Sequence, residues 1–339
     1  MADRMRWGIL TTGNIARQFA AGVGDSRRTV LAAVGSRSKT SADTFAKEYR
    51  VPTAYGDYES VISDRSVDAI YNALPNSMHH EWTIKGLKAG KHVLCEKPLA
   101  VTPDQAEEMF DVARRQGRVL VEAFMYRAHP LTKAVTDEIK NGVIGEVRLI
   151  RTSFVFRTRR IEGNIRFDAS LAGGSLMDIG CYCVNFSRLH AGCEPTEIHA
   201  VGHIHESGID DWAAGTMKFP NGVLATFTCG MSAQADNTAS ICGIDGFIET
   251  AVPWKPPVSD ATYIIGHSTP PRMDMAAGQT APPPRQTKSV SAGQSLYGLE
   301  ADAFAGVVAG DSEPFVSEQD SLANTRILQE MRRQIGLSF

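Results

Sequence analysis

The first 125 residues alternate short apolar runs with helical segments, and no other feature of the chain constrains its fold as strongly. Strands are predicted at 5–10, 30–35, 67–74, 92–96 and 119–124, with the clearest helical patterns at 77–89 and 103–116. Near-continuous apolar strands joined by crossover helices are typical of a parallel sheet covered on both faces, and right-handed crossovers make it doubly wound. Residues 1–125 are therefore predicted to form an α/β dinucleotide-binding domain.

The rhythm changes after residue 126. One helix near 129–141 is followed by predicted strands at 145–156, 196–205, 212–219, 223–231, 239–244 and 247–252. Turn signals such as Pro220-Asn221-Gly222 and Asp245-Gly246 favour hairpins, so residues 126–339 are predicted to form an α+β domain with an antiparallel sheet. The proline-rich residues 253–287 are predicted to be a long irregular excursion over a site or an interface, and helical patterns return at 299–308 and 318–335.

Composition argues against several classes of function. The chain has 339 residues, 43% hydrophobic and 22% charged, and its formal net charge of −3 gives no field that would attract nucleic acid or an anionic membrane. No apolar run approaches the roughly 18 residues of a membrane span, and the amino terminus turns directly into a strand, so a cytoplasmic location is expected. Six cysteines without C-x-x-C spacing indicate reduced core thiols. His203-x-His205 has no recognisable third ligand, so no metal site is predicted.

The first strand leads into T-T-G-N-I-A, where a dinucleotide fold needs a tight turn that lets backbone amides approach a pyrophosphate. Only one glycine is present, and a threonine stands at the position of the first glycine of the usual motif. A plain strand-turn-helix is the alternative. The surrounding strand pattern favours the cofactor interpretation, with contacts from Thr11, Thr12, Gly13, Asn14 and Ile15.

The end of the second strand discriminates between cofactors. An NAD enzyme presents a carboxylate there, whereas this chain has G-S-R-S-K at 35–39 and no carboxylate until Asp43. Arg37, with Ser36 and Ser38, offers donors to a 2′-phosphate and no acceptor to a hydroxyl. The alternative is an arginine on a solvated turn. NADP is the predicted cofactor, with NAD binding more weakly.

Two segments carry the predicted chemistry. Lys97 follows a buried strand in C-E-K-P, and open α/β sheets bind ligands at the carboxyl ends of their strands. Asp178 and Tyr182 are four residues apart in G-G-S-L-M-D-I-G-C-Y, so on a helix both side chains share one face. A lysine, a tyrosine and a carboxylate together suggest proton transfer coupled to hydride transfer.

Taken together, the segments W-G-I-L-T-T-G-N-I-A, P-N-S-M-H-H-E, C-E-K-P-L, E-A-F-M-Y-R-A-H-P and G-G-S-L-M-D-I-G-C-Y-C resemble the Gfo/Idh/MocA oxidoreductase family. Within it they are most similar to the branch of dimeric dihydrodiol dehydrogenases and NADP-dependent D-xylose dehydrogenases. The resemblance implies a Rossmann domain, a C-terminal domain with a large open antiparallel sheet, and hydride transfer at a carbinol carbon of a sugar, cyclitol or diol.

The resemblance also assigns roles. Lys97 matches the lysine that contacts the substrate hydroxyl, and Tyr182 falls where this branch carries a tyrosine. A neighbouring ammonium is expected to lower the pKa of that phenol. Lys97 would thus adjust the pKa of Tyr182, and Tyr182 would transfer the proton. Asp178 would orient the pair or a substrate hydroxyl. The alternative for Tyr182 is a half-buried helical tyrosine that packs by its ring.

Further positions follow from the same resemblance. Additional cofactor contacts are expected from Leu74, Pro75, Asn76, His79, Glu96 and Lys97. His79 is equally compatible with a first-turn residue of the next helix. The expected substrate contacts are Tyr126, Arg127 and Arg166, with a pair between Arg166 and Asp168 as the alternative for the last.

The predicted function is an NADP-dependent oxidoreductase acting on a small sugar or diol, with the aldose C1 alcohol as the favoured position. A keto-sugar reductase is the nearest alternative. A cofactor-binding sensor without turnover is disfavoured because such a protein needs neither Lys97 nor Tyr182, and a bond-cleaving enzyme with tightly held cofactor is a third possibility. The broad face of the second sheet predicts a homodimer or homotetramer.

Overall fold

A computed structural model of the protein describes residues 4–267 and 284–337. Six strands alternate with helices in the first part of the chain: β1 (Met5–Leu10), α1 (Asn14–Gly24), β2 (Thr29–Gly35), α2 (Lys39–Tyr49), β3 (Thr53–Tyr55), α3 (Glu59–Ser63), β4 (Ala69–Asn72), α4 (His79–Lys88), β5 (His92–Glu96), α5 (Pro103–Gln116) and β6 (Leu120–Ala123).

These strands form one parallel sheet in the order β3-β2-β1-β4-β5-β6. Consecutive strands run outward from β1 in both directions, so the order reverses between β1 and β4. The carboxyl ends of all six strands meet at one edge, which is where doubly wound sheets bind their ligands. The predicted doubly wound α/β architecture is confirmed.

The second part of the chain continues with α6 (Pro130–Lys140), β7 (Val147–Val155), α7 (Cys181–Ala191), β8 (Glu197–Ile204), β9 (Asp210–Lys218), β10 (Leu224–Gly230), β11 (Ala239–Gly243), β12 (Gly246–Thr250), β13 (Ala261–His267), β14 (Arg285–Val290), α8 (Leu296–Ala309) and α9 (Glu318–Gln334). A π-helical turn, Leu176–Gly180, leads directly into α7.

The eight strands of this part form a second sheet in the order β14-β13-β12-β11-β7-β10-β9-β8. Neighbouring strands are antiparallel, as predicted, except that β7 and β10 are parallel. That exception corrects the expectation of a purely antiparallel sheet. It arises because the chain leaves β7 for α7 and returns through β8 and β9 before β10 is added beside β7. Both predicted hairpin turns are confirmed.

The prediction of an irregular excursion over 253–287 is wrong in part. Ala261–His267 is strand β13, and Arg285 begins strand β14, while residues 268–283 lie outside the described residues. The inward positions of β13, Ala261, Tyr263 and Ile265, alternate and are buried. This period-2 pattern was obscured by the prolines on either side of it. β14 is polar and mostly exposed, so main-chain pairing at the sheet edge specifies it more than burial does.

The two parts of the chain pack closely together. Helix α8 lies against α1 of the first part, and a Cβ atom on Gly22 would come within 2.6 Å of Tyr297 Cβ and 2.7 Å of Gly298 N. Glycine at position 22 therefore permits the close approach of the two helices. Among the described residues, no helix combines the length and the apolar character needed to cross a membrane.

Candidate active site

A cleft opens at the carboxyl edge of the parallel sheet, where β5 faces α7 and the second sheet. Its volume of about 380 Å³ is within the range of small-molecule sites. The lining combines charged residues from both parts of the chain with a wall of aromatic and apolar side chains: Ile15, Glu96, Lys97, Met125, Phe154, Phe156, Arg166, Asp178, Ile179, Tyr182, Asn237, Val252, Trp254, Lys255 and Tyr297.

Lys97 lies directly after β5, and its side chain reaches across the cleft to the π-helical turn. Its Nζ atom donates to the main-chain oxygen of Asp178 at 2.7 Å and to Asp178 Oδ1 at 3.1 Å. Arg166 Nε donates to the other carboxylate oxygen of Asp178 at 2.6 Å. We call Lys97, Asp178 and Arg166 the ion cluster. The sequence alternative, in which Arg166 pairs with Asp168, does not occur.

The ion cluster fixes the protonation states of its members. Burial by itself would raise the pKa of Asp178, but the Lys97 and Arg166 charges lower it to about 2. Burial would lower the pKa of Lys97, and the Asp178 carboxylate raises it overall. At neutral pH the cleft therefore holds an ammonium, a guanidinium and a carboxylate, each charged and partly shielded from water.

Tyr182 lies in the first turn of α7 and is 3% exposed. Its ring packs edge-on against Phe124 and Phe154, at centroid separations of 5.2 and 5.4 Å. The hydroxyl donates to Met125 Sδ at 3.2 Å, a weak acceptor. Lys97 Nζ lies 5.1 Å from the ring centroid, over the face of the ring.

The expectation that Lys97 lowers the pKa of Tyr182 is wrong for this arrangement. Burial raises the pKa of the phenol well above its ordinary value, and the Glu96 carboxylate adds to that effect. The Lys97 ammonium is directed at Asp178, whose charge offsets its own. Tyr182 is consequently a protonated phenol in this structure.

Glu96 lies in the same cleft, one residue before Lys97, and its carboxylate accepts a hydrogen bond from the Tyr71 hydroxyl. The Lys97 amide also donates to it, at 3.3 Å. Burial raises the pKa of Glu96. This carboxylate is thus held within the protein by the Tyr71 hydroxyl and the Lys97 amide.

The turn predicted to bind the cofactor pyrophosphate follows β1. Thr11 has φ 84°, the left-handed conformation that the first glycine of such a motif supplies, and its amide donates to Gly35 O at 2.9 Å. Helix α1 starts after Gly13 and has no side-chain cap and no acidic residue in its first turn. The amides of Asn14 and Ile15 therefore face the cleft edge without an internal acceptor, which suits a pyrophosphate.

The turn after β2 suits a 2′-phosphate. Ser38 Oγ accepts from Ser41 N at 3.3 Å, and Ser36 Oγ accepts from Ser38 N at 3.3 Å, so both hydroxyl protons remain available for donation. Arg37 is exposed and lies near the Tyr58 hydroxyl. Burial raises the pKa of that phenol, and the Arg37 charge partly counteracts the increase. The first carboxylate beyond the turn, Asp43, is paired with Lys39. Both turns fit NADP.

The segment after β4 has a supporting role. Leu74, Pro75, Asn76 and His79 line the part of the cleft next to Lys97. Asn76 Nδ2 donates to Ala172 O at 2.8 Å. The ring nitrogens of His79 lie 2.9 Å from Pro98 O and 2.8 Å from Leu74 O, so this residue ties the segment to the loop that carries Lys97.

Tyr126 and Arg127, predicted as substrate contacts, lie elsewhere. Tyr126 is fully buried and its hydroxyl donates to Asn185 Oδ1, while Arg127 Nη1 donates to Asp320 Oδ2 at 2.7 Å. Neither residue lines the cleft. The chain after β6 turns into the core, which points both side chains toward α7 and α9, and we remove both from the candidate site.

Sequence reasoning missed the aromatic wall and one cation. Trp254 and Lys255 stand in P-W-K-P-P, a segment expected only to lie over a site or an interface, and both line the cleft with Phe154 and Phe156. In the sequence they appear as an isolated tryptophan and lysine between prolines, a pattern that does not indicate which residues they contact. The cysteines at positions 95, 181, 183, 193, 229 and 242 are free thiols, as predicted.

Comparison with protein-family models gives two matches. Residues 5–124 match the oxidoreductase family with an NAD-binding Rossmann fold, GFO/IDH/MocA, and residues 132–249 match the GFO/IDH/MocA C-terminal domain. Together the matched segments cover more than half of the chain.

The proteins that this chain is similar to are also oxidoreductases. The chain is 37% identical over 255 residues to trans-1,2-dihydrobenzene-1,2-diol dehydrogenase from Mus musculus, covering 74% of this chain and 76% of that protein. It is 37% identical over 221 residues to a D-xylose 1-dehydrogenase (NADP(+)) from Haloferax volcanii, covering 65% and 68%. A 3-ketoreductase from Actinomadura kijaniata, solved with NADP and TDP-benzene, superposes with a TM-score of 0.86 at 28% identity and 98% coverage of both chains.

Proposed function

The chain belongs to the Gfo/Idh/MocA oxidoreductase family, and we propose that it moves a hydride between NADP and a CH–OH or carbonyl carbon of a sugar or related diol. One observation carries the proposal: the protonated Tyr182 and the Lys97 ammonium face a single cleft beside the two turns that suit NADP. The activities for which the relatives are named, on a diol and on an aldose, support the same substrate class.

NADP, when bound, supplies the hydride acceptor or donor. Tyr182 holds the proton that a carbonyl oxygen needs as it becomes a hydroxyl, and it takes that proton back in the opposite direction. Within the described part of the chain, its hydroxyl donates to the Met125 thioether alone, so rotation toward a substrate oxygen loses little. Lys97, moving from Asp178 toward that oxygen, stabilises the negative charge that develops there.

Asp178 acts in this proposal as a positioning residue. It holds Lys97 and Arg166 through both carboxylate oxygens and its main-chain oxygen, which keeps the ammonium at the cleft floor until substrate arrives. Arg166, still 35% exposed at its side chain, contributes a free face of its guanidinium to polar substrate groups.

The aldose C1 alcohol remains our favoured reacting position, because one relative is a D-xylose 1-dehydrogenase. The aromatic wall of Phe154, Phe156 and Trp254 suits the apolar face of a pyranose. Reduction of a keto-sugar is the second candidate. It is favoured by the raised pKa of Tyr182, since a protonated phenol is ready to donate, and by the likeness to a 3-ketoreductase.

A screen of aldoses, cyclitols and diols with NADP, and of keto-sugars with NADPH, tests the proposal by the absorbance of the reduced cofactor. We expect turnover of at least one class and weaker activity with NAD or NADH. Tight NADP binding with no turnover on any member would support the sensor alternative. Cofactor that copurifies and never exchanges would support the bond-cleaving alternative.

We also infer a homo-oligomer formed through the second sheet. One face of that sheet is not covered by any described helix, and it exposes Val201, Trp212 and Leu224 by 73%, 55% and 50%. An uncovered face with such residues is typical of an interface. Val201→Glu should shift the mass in light scattering toward the 36.8 kDa monomer, whereas Ile244→Glu, in the turn between β11 and β12, should not. A wild-type monomer would contradict this inference.

A cytoplasmic location remains a prediction from the sequence.

A further inference from the structure

Lys255 extends into the candidate active site from the loop that follows β12. It lines the cleft together with Lys97, Glu96 and Asp178. Among the described residues, no carboxylate or carbonyl oxygen lies within hydrogen-bonding or ion-pair distance of its ammonium. The side chain retains contact with solvent at the mouth of the cleft. It is therefore an unpaired cation beside the proposed reaction centre.

The loop that carries Lys255 is anchored. Trp254 is 2% exposed, its indole Nε1 donates to Ser153 O at 2.9 Å, and its ring stacks on Phe154 with a centroid separation of 5.5 Å. Prolines at positions 253, 256 and 257 restrict the backbone on both sides. The backbone position of Lys255 at the cleft is thus fixed by the neighbouring core.

The charges that line the cleft do not balance. Three cations, Lys97, Arg166 and Lys255, face two carboxylates, Glu96 and Asp178. Asp178 is already shared between the other two cations, and Glu96 is held from within by the Tyr71 hydroxyl. A surplus cation in a partly desolvated cleft is stabilised by a bound anion.

We propose that Lys255 binds an anionic group of the substrate, so that the protein acts on a hydroxy compound bearing a phosphate or a carboxylate. This deepens the proposed function and rests on it for the identity of the cleft. The ammonium would donate hydrogen bonds to the anion at the mouth of the cleft while the carbinol carbon lies deeper, near Lys97 and Tyr182. Both kinds of anion satisfy the same donor, and the experiment separates them.

The test is calorimetric titration of the NADPH-saturated protein with three probes: glucose, glucose 6-phosphate and glucuronate. The reduced cofactor cannot accept a hydride, so these aldoses bind without being oxidised. Binding is read without turnover, so the result does not depend on which carbon reacts. Lys255→Met keeps the length of the side chain and removes its charge, and Lys255→Arg keeps the charge. Lys88→Met is the matched control, because Lys88 ends α4 at the opposite edge of the parallel sheet.

At least one anionic probe is expected to bind the wild-type complex about tenfold more tightly than glucose, as befits one charge-assisted hydrogen bond at a partly exposed site. That preference should vanish in Lys255→Met, persist in Lys255→Arg and Lys88→Met, and weaken with added salt. A preference for glucose 6-phosphate identifies a phosphate ester, and one for glucuronate identifies an acid.

Two results would overturn the inference. The first is equal binding of neutral and anionic probes by the wild-type protein. The second is a loss of NADP affinity in Lys255→Met that accounts for the whole effect, since Lys255 would then serve the cofactor. Equal binding of the probes together with turnover of neutral sugars would sink this inference and leave the proposed function intact. Anion binding that depends on Lys255, without turnover of any substrate, would support this inference and contradict the proposed function.

Discussion

The cofactor side and the substrate side of the cleft satisfy their polar groups in opposite ways. At the turns after β1 and β2, the first amides of α1 have no side-chain cap and Arg37 is exposed. On the substrate side, Lys97 and Arg166 are both bound to Asp178. The cofactor side thus offers free donors to an incoming phosphate, whereas the substrate side has paired its charges with one another.

This difference implies that the two ligands bind by different routes. NADP can bind to preformed donors, which favours tight binding with little rearrangement. A substrate that contacts Lys97 must compete with Asp178 for the ammonium, so the interaction strengthens only as negative charge develops on the substrate oxygen. Interactions of that kind lower the barrier more than they tighten ground-state binding. Changes on the substrate side should therefore alter turnover, and changes on the cofactor side should alter affinity.

Tyr182→Phe should produce the largest effect. Loss of the proton-transfer group is expected to lower kcat by roughly 10² to 10⁴, with the dissociation constant of NADP within about twofold of wild type. Tyr126→Phe is the matched control, because that tyrosine packs 6.0 Å from the Tyr182 ring but lies outside the cleft. Steady-state kinetics and NADPH fluorescence titration separate the two quantities. Retention of more than half of wild-type turnover in Tyr182→Phe would contradict the assignment.

Lys97→Met should be nearly as damaging, with a loss in kcat of about 10² or more, because the developing negative charge loses its nearest cation. Combined with Tyr182→Phe it should cost far less than the product of the single effects, since both residues act on the same substrate oxygen. A double-mutant cycle in kcat measures the coupling. Fully multiplicative losses would show that the two residues act independently.

Arg37→Ala tests the cofactor side. Removing one charged donor from a phosphate should weaken NADP binding by about tenfold to a hundredfold and leave NAD binding nearly unchanged. Turnover at saturating NADP should stay within about twofold of wild type. Arg65→Ala, at an exposed position before β4 and so at the other edge of the sheet, is the control. An equal loss for both cofactors would show that Arg37 contacts a part they share.

The smallest predicted effect concerns acid stability of α7, the helix that carries Tyr182. His190 is buried near its end without a hydrogen-bond partner, and burial lowers its pKa to about 3. Because the unfolded chain binds this proton near pH 6.5 and the folded chain does not, stability falls as pH drops from about 6.5 toward 3, by up to about 1.4 kcal/mol per pH unit.

His190→Phe should remove that contribution, so urea unfolding at pH 5 and pH 8 should show a smaller difference than in wild type. The measurement at pH 8 is the internal control, because the histidine is then neutral in both the folded and the unfolded chain. The carboxylate of the ion cluster has the same sign of dependence and a lower range: with the Asp178 pKa at about 2, its stabilisation is present above about pH 4 and is lost as the pH falls below that value. An unchanged pH dependence in the variant would show that His190 titrates with a more ordinary pKa.

Most of the parallel sheet could be predicted from the chain, because each apolar run and each crossover helix is a local pattern. The same holds for the position of Lys97, which follows from the end of β5. The strand at Ala261–His267 was missed, since its prolines and polar neighbours hide a short alternation. The parallel pairing of β7 with β10 was missed because strand order across a sheet is not a local property.

The sequence by itself determined the doubly wound fold, the two turns that suit NADP and the side-chain types of the candidate site. Only the tertiary structure decided how those side chains use their charges. It brings Lys97 against Asp178, 81 residues away, directs Lys97 over the face of Tyr182, withdraws Tyr126 and Arg127 into the core, and adds Lys255 to the cleft. The physical reason is that burial and pairing set the charge and the pKa of each group, and both depend on which distant segments share the same space.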